Sequence, residues 1–238
     1  MRRIVILSGL ALALAAVCSC DSGGASAIPD AGPPDFYPIA VGSWWEYDEL
    51  GEYGTQRSRY DITGTETVEF DYGIGTRTVF LRERTYPTVE WEGRTVEYLE
   101  DDGERVVRYR ELYYDATGAL DWQRDDDPGF LKFDRTRVSV GDQWEWELTS
   151  YLDEFNGLPI VEEGNHYVYE VMSIDEVVTV PAGTFICILI RRVNAVGTDP
   201  DIRQYYYSPG LGKVKENEEG DAESAALAEL TAYGIAPP

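Results

Sequence analysis

The residues best able to do chemistry in this 238-residue chain are few and scattered. Cys18 and Cys20 stand two apart in VCSCDSGG, a spacing open to a metal or redox pair, and Cys187 lies far off in FICILI. A metal or redox pair needs an ordered fold around its thiolates, and the Gly- and Ser-rich residues that follow cannot supply one. His166 is the only histidine. It cannot by itself build a multi-histidine zinc site or a two-histidine facial triad, and no G-x-S-x-G elbow accompanies it. It lies in NHYVYEV, whose alternation reads as a strand. The 44 Asp and Glu are so many that no pair stands out as the acid and base of a glycosidase. DDDPG, LDEFNG and ENEEGD carry oxygen ligands fit for calcium, but none has the twelve-residue EF-hand pattern, and they read as solvated turns, with Asp125 to Phe130 a loop. The GLG of YYYSPGLGKVK lacks the third glycine and helix of a phosphate loop. The expectation is a non-enzymatic chain with no catalytic residue, no metal site and no cofactor.

What remains is aromatic. The chain holds 17 Tyr and 6 Trp, a load that suits pleated, half-buried strands. Trp45, Tyr47, Trp144, Trp146, Tyr205 and Tyr207 are the candidate ligand-binding residues. Set on one concave face, such rings bind acyl chains by burial or sugars by stacking. The competing reading is that they fill a core. Cys187, inside an apolar run, reads as packing.

The elements that must position these rings begin after a targeting segment. Arg2 and Arg3 precede an apolar run from Ile4 to Val17, shorter than the roughly 20 residues of a spanning helix. The end of this run resembles the lipobox of bacterial lipoproteins: Cys20 has Val17 three positions before it and small Ser19 immediately before it. That resemblance implies a signal peptide over 1–19, lipid attachment at Cys20, and export to the cell envelope with the membrane as partner. Asp21 resembles an inner-membrane retention signal, a rule that varies among bacteria, so inner and outer membrane stay open. Residues 20–34, rich in Gly, Ser, Ala and Pro, read as a lipidated flexible tether. Losing Arg2 and Arg3 takes the net charge from −24 to −26. An acidic surface of this size repels phosphate backbones, so nucleic acid is not an expected partner.

From Asp35 to Pro238 the chain reads as one β domain. SRYDITG, TETVEFDYG, TRTVFLRERTYP, RTVEYLEDDG and ERVVRYRELYYDATG each alternate and each end in Gly, Asp or Pro, as in an antiparallel meander. Their Arg and Glu residues read as cross-strand pairs on a wet face. FICILI, Phe185 to Ile190, is apolar throughout and predicts a strand covered on both faces. VTVPAGTF predicts a hairpin with Gly183 in the left-handed conformation beside a bulge. Ala222 to Leu230 has helical propensity, yet its period-two apolar positions favour a terminal strand.

VGSWWEYDEL at Val41 and VGDQWEWELT at Val140 lie 99 positions apart and share Val, Gly, Trp and Glu. They suggest a pseudo-repeat with a boundary near 136. YPIAVGSWWEY from Tyr37, VPAGTF from Val180 and YYYSPGLGKVK from Tyr205 together resemble exported bacterial lipoproteins bearing a domain of unknown function of the 3108-like group. The resemblance implies a curved antiparallel sheet or partly open barrel and brings no reaction and no functional residues. The fold expected is thus all-β, a barrel or half-barrel with few or no helices. Its expected role is to bind or carry an apolar small molecule. The alternative is an envelope structural or interaction protein with a filled core and a protein partner.

Overall fold

A computed structural model of the chain describes residues 34–51, 54–89, 93–155, 160–197, 200–219 and 226–237. The signal segment, Cys18, Cys20 and the tether up to residue 33 lie outside them. The alternating segments form twelve strands: β1 (Trp44–Gly51), β2 (Gly54–Phe70), β3 (Gly75–Thr85), β4 (Arg94–Asp101), β5 (Arg105–Tyr114), β6 (Leu120–Asp134), β7 (Gln143–Asp153), β8 (Val161–Val180), β9 (Gly183–Asn194), β10 (Asp201–Ser208), β11 (Gly212–Glu218) and β12 (Ala226–Gly234). No described residue is helical. Each strand pairs antiparallel with the next, and β1 also pairs with β12, so the sheet closes into a barrel with no outer edge at the seam. Closure satisfies the backbone groups that an edge strand would leave unpaired.

The two halves, β1–β6 and β7–β12, repeat one another in detail. In the first, Gly42 (φ 93°) turns the chain so that its N–H donates to Ile62 O at 2.8 Å while Ile62 N donates to Ser43 O at 2.9 Å. In the second, Gly141 (φ 87°) donates to Val171 O at 2.9 Å, and Val171 N donates to Asp142 O at 2.9 Å. Glycine is required at both turns because a Cβ disfavours positive φ. The register of β2 against β3 slips after Ile62, and that of β8 against β9 slips after Val171. A further bulge follows Tyr98 in β4–β5 and Tyr206 in β10–β11. The two VG-x-x-W motifs thus open corresponding turns of the two halves, which join at residues 135–142.

The longest strands, β2 and β8, overreach their partners, and each hairpin covers a neighbouring part of the wall. The β2–β3 end sets Phe70 against Tyr98 and Tyr109, with ring centroids 6.2 and 5.7 Å apart. The β8–β9 end packs Val178 and Val180 with Val214 and Leu230, and Ala182 N donates to Leu230 O at 3.0 Å. Val214 and Leu230 are fully buried. One end of the lumen is filled by the segment before β1. There Phe36 stacks on Phe133, Tyr37 meets Tyr207, and Arg135 holds the Asp35 carboxylate at 3.0 Å.

Two local expectations are corrected. Asp125 to Phe130 is not a loop but part of β6, because Asp125 and Asp126 are wholly buried on the Arg110 and Arg108 guanidinium groups of β5, at 2.6 and 2.9 Å. FICILI is not covered on both faces throughout: Ile186 is 63% exposed, although consecutive Cys187 and Ile188 are both buried, in different core clusters. At the hairpin, Gly183 takes the expected positive φ (142°) and pairs with Val180 across a two-residue connection. The segment closing the chain is a strand, β12.

Candidate functional site

Counting inward from the pairings gives the lumen its lining. Trp45 stands opposite Tyr60, Tyr60 opposite Arg84 and Arg84 opposite Thr95. The equivalent path in the second half runs from Trp144 to Tyr169, Arg192 and Arg203. One register further, Arg82 faces Glu97 and Glu97 faces Glu111, while Ile190 faces Tyr205 and Tyr205 faces Glu216. The strands thus send Arg82, Arg84 and Glu97 into the barrel, where the sequence pattern had placed such residues on a wet outer face. A period of two names the two faces of a strand without saying which is inside.

These side chains enclose a cavity of about 250 Å³. Trp45, Tyr47, Trp144, Tyr205 and Tyr207 line it, together with Tyr37, Tyr60 and Tyr169. Trp146 does not: its indole N–H donates to Gly129 O at 2.7 Å and its ring packs into the core. A second cavity of about 270 Å³ adjoins it toward Leu50 and Gly51 and shares Tyr60, Arg84, Lys213 and Glu216.

The walls differ. The first half contributes an ion cluster centred on Glu97, which contacts Arg82, Lys132 at 2.8 Å and Arg108 at 3.6 Å. Burial opposes ionisation of Glu97, but Arg82, Lys132 and Arg108 outweigh it and hold the carboxyl well below the usual carboxylate range. Burial lowers Lys132, and Arg108 and Arg82 reinforce that against Glu97, bringing it to about 8. The second half contributes Ile190, Tyr205, Tyr207, Trp144 and Tyr169, the last two stacked with centroids 5.2 Å apart. Burial keeps the hydroxyls of Tyr205 and Tyr207 neutral by raising both well above the ordinary range. The cavity is therefore amphipathic: rings from both halves line it beside the Glu97 cluster of the first half and Arg192, Lys213 and Glu216 of the second.

Lumen cations also lie over rings. Arg82 is 5.1 Å from the Tyr60 centroid, Arg192 is 5.3 Å from Tyr205, and Lys213 is 5.3 Å from Tyr47. Sequence reasoning missed these cations, because the signal lies in pairing across strands rather than in local composition.

The remaining candidates lie elsewhere. His166 is on the wall of β8, 3.2 Å from Glu145 and away from the cavity. Cys187 is buried, and burial pushes its thiol up to about 12, as fits packing. Outward positions of β1 and β2 carry Glu46, Asp48, Arg57, Arg59 and Asp61 in an ion-pair ladder. Such a wall is the opposite of the apolar band that a membrane-spanning barrel presents to lipid.

No family model matches the chain, and no curated protein matches it. Among solved structures it is similar to a candidate exported protein with a YmcC-like fold from Bacteroides fragilis, at 15% identity and a TM-score of 0.49, covering 85% of this chain and 100% of that one. It is also similar to a candidate lipoprotein from Parabacteroides distasonis, at 16% identity and a TM-score of 0.39, covering 85% of this chain and 100% of that one.

Proposed function

We propose that this chain is an exported, lipid-anchored binding protein, tethered through Cys20, whose barrel lumen holds a small amphiphilic molecule. The observation that carries the reading is the mixed lining of one cavity: rings from both halves, among them Trp45, Tyr60, Trp144 and Tyr205, beside the Glu97 cluster. A purely apolar ligand suits this lining less well than an amphiphile, because it would leave buried charges without polar contact. At about 250 Å³ the cavity lies at the small end of ligand sites, which favours a compact occupant over a long acyl chain. The non-enzymatic part of the reading draws on the engagement of the cavity carboxylates: Glu97 is held by three cations and Glu216 by Lys213 at 2.7 Å. Export and the 3108-like affiliation rest on the lipobox and on three short motifs. In the fold, these form the lumen plug with β1, the β8–β9 tip, and the β10–β11 pair.

The test is native mass spectrometry of the chain from residue 20 carrying Cys20→Ser, recovered from the periplasm, with an organic extract of the same sample. A near-stoichiometric adduct that extracts as a small amphiphile is the expected result. A clean apo mass, unchanged after incubation with envelope extract, would sink the reading and favour a structural barrel whose partner is another envelope protein.

A further inference from the structure

Among the five cations and four carboxylates on the cavity wall, two cations occupy equivalent places in the two halves. Arg84 faces Tyr60, and Arg192 faces Tyr169. Glu97, Glu111 and Glu216 already accept from Arg82, Lys132, Arg108 and Lys213, and Asp134 accepts from Thr136. Arg84 donates to the Tyr60 hydroxyl at 3.3 Å, lies 4.0 Å from the Glu49 carboxylate and sits 5.1 Å from the Tyr86 ring centroid. Arg192 donates to Asp201 at 3.2 Å, which Arg203 also holds at 2.6 Å, and lies over the Phe130, Tyr167 and Tyr205 rings. Among the described residues the Nε–H groups of both arginines are without a hydrogen-bond partner, a costly state for a buried charged donor. A cationic ligand is disfavoured, because the protein's own cations already lie against the ring faces that would receive it.

Building on the lumen-binding reading above, we propose that the cavity is selective for a small organic acid whose anionic group is received by one of two lumen arginines with a spare donor, Arg84 of the first half or Arg192 of the second. The guanidinium supplies paired donors to a carboxylate, while the rings of the lumen take the apolar body. The protein's outer charge opposes the entry of such a ligand. Added salt, by screening the net −24 of the chain, therefore speeds association instead of slowing it.

The experiment compares hexanoate, hexan-1-ol and hexan-1-amine by calorimetry and tryptophan fluorescence on the chain from residue 20 carrying Cys20→Ser. Hexanoate is expected to bind about tenfold or more tighter than the alcohol, with the amine weakest. Arg84→Met or Arg192→Met, whichever removes the receiving guanidinium, should weaken hexanoate about tenfold and leave the alcohol within about twofold. Equal binding of acid and alcohol, preference for the amine, or unchanged hexanoate affinity in both variants would overturn the acid site while leaving a ligand-binding lumen. Binding of none of the three would overturn both. The wild-type preference among the three probes decides the matter even where a variant fails to fold.

Discussion

The two halves of the barrel share a backbone plan and differ in what they put inside it. Both start at a glycine turn docked on a buried aliphatic residue, both slip register after that residue, and both bulge again two strands later. Yet Arg82, Glu97 and Leu99 of the first half correspond to Ile190, Tyr205 and Tyr207 of the second. At these positions the first half carries an ion pair where the second carries apolar and aromatic groups, while both halves supply further rings to the lumen. Equivalent backbone does not require equivalent chemistry, and divergence between the halves confines the Glu97 cluster to the first.

The sharpest break of this comparison is at Glu97. Glu97→Gln should cost about 3–5 kcal/mol, because Arg82, Lys132 and Arg108 lose their shared carboxylate. The equivalent Tyr205→Phe should cost less than about 1 kcal/mol, since its hydroxyl holds no buried charge. Equal losses in urea unfolding would show that the cluster is not the organising feature of its wall. The next contrast is between tryptophans. Trp45 donates to Leu211 O at 2.6 Å, whereas the Trp144 indole N–H has no partner. Trp45→Phe should therefore exceed Trp144→Phe by about 1–3 kcal/mol, the cost of leaving a buried carbonyl unpaired.

A test of sameness follows. Gly42→Ala and Gly141→Ala meet no close atoms, so each should cost only the conformational penalty of about 1–2 kcal/mol. Unequal thermal midpoints for the two variants would mean that the turns are not equivalent. The smallest effect is a slope with pH. Lys132 titrates at about 8 in the folded chain against an ordinary 10.5. Between those values the unfolded chain binds the extra proton, so this group makes stability rise with pH in that window and adds no slope below it. Lys132→Met should flatten that rise, and an unchanged profile would exclude Lys132 as its source.

Much of this architecture was legible in the sequence. Alternation marked the strands, and the two VG-x-x-W motifs open corresponding turns at Gly42 and Gly141. Five of the six aromatic candidates lie on the cavity because Trp45, Tyr47, Trp144, Tyr205 and Tyr207 share the inward phase of their strands. The polar half of the lining stayed hidden. Arg82 and Glu97 are polar residues on the inward phase, and nothing local distinguishes them from Glu83 and Arg94, which pair at 3.2 Å beside them. DDDPGF misled for the same reason: the partners that draw Asp125 and Asp126 into a strand stand 15 and 18 residues away, on β5. Composition reports a residue's cost of burial but not the group that compensates it.

The seam between β1 and β12 carries a consequence for the order in which the barrel is made. Trp45 and Tyr47 bond to residues 166 positions later, and Ser43 receives the Ala236 N–H across 193 positions. Every other neighbouring pair of strands is consecutive in the chain and can form as it emerges, but the first strand must wait for the last. Contacts of such separation are late and slow to form. Until the final strand arrives, the barrel is an open sheet with two bare edges, exposed to pairing with other chains. Assembly is therefore a single late latch, and shortening the chain by its last strand would leave the earliest residues without the partners that define the lumen.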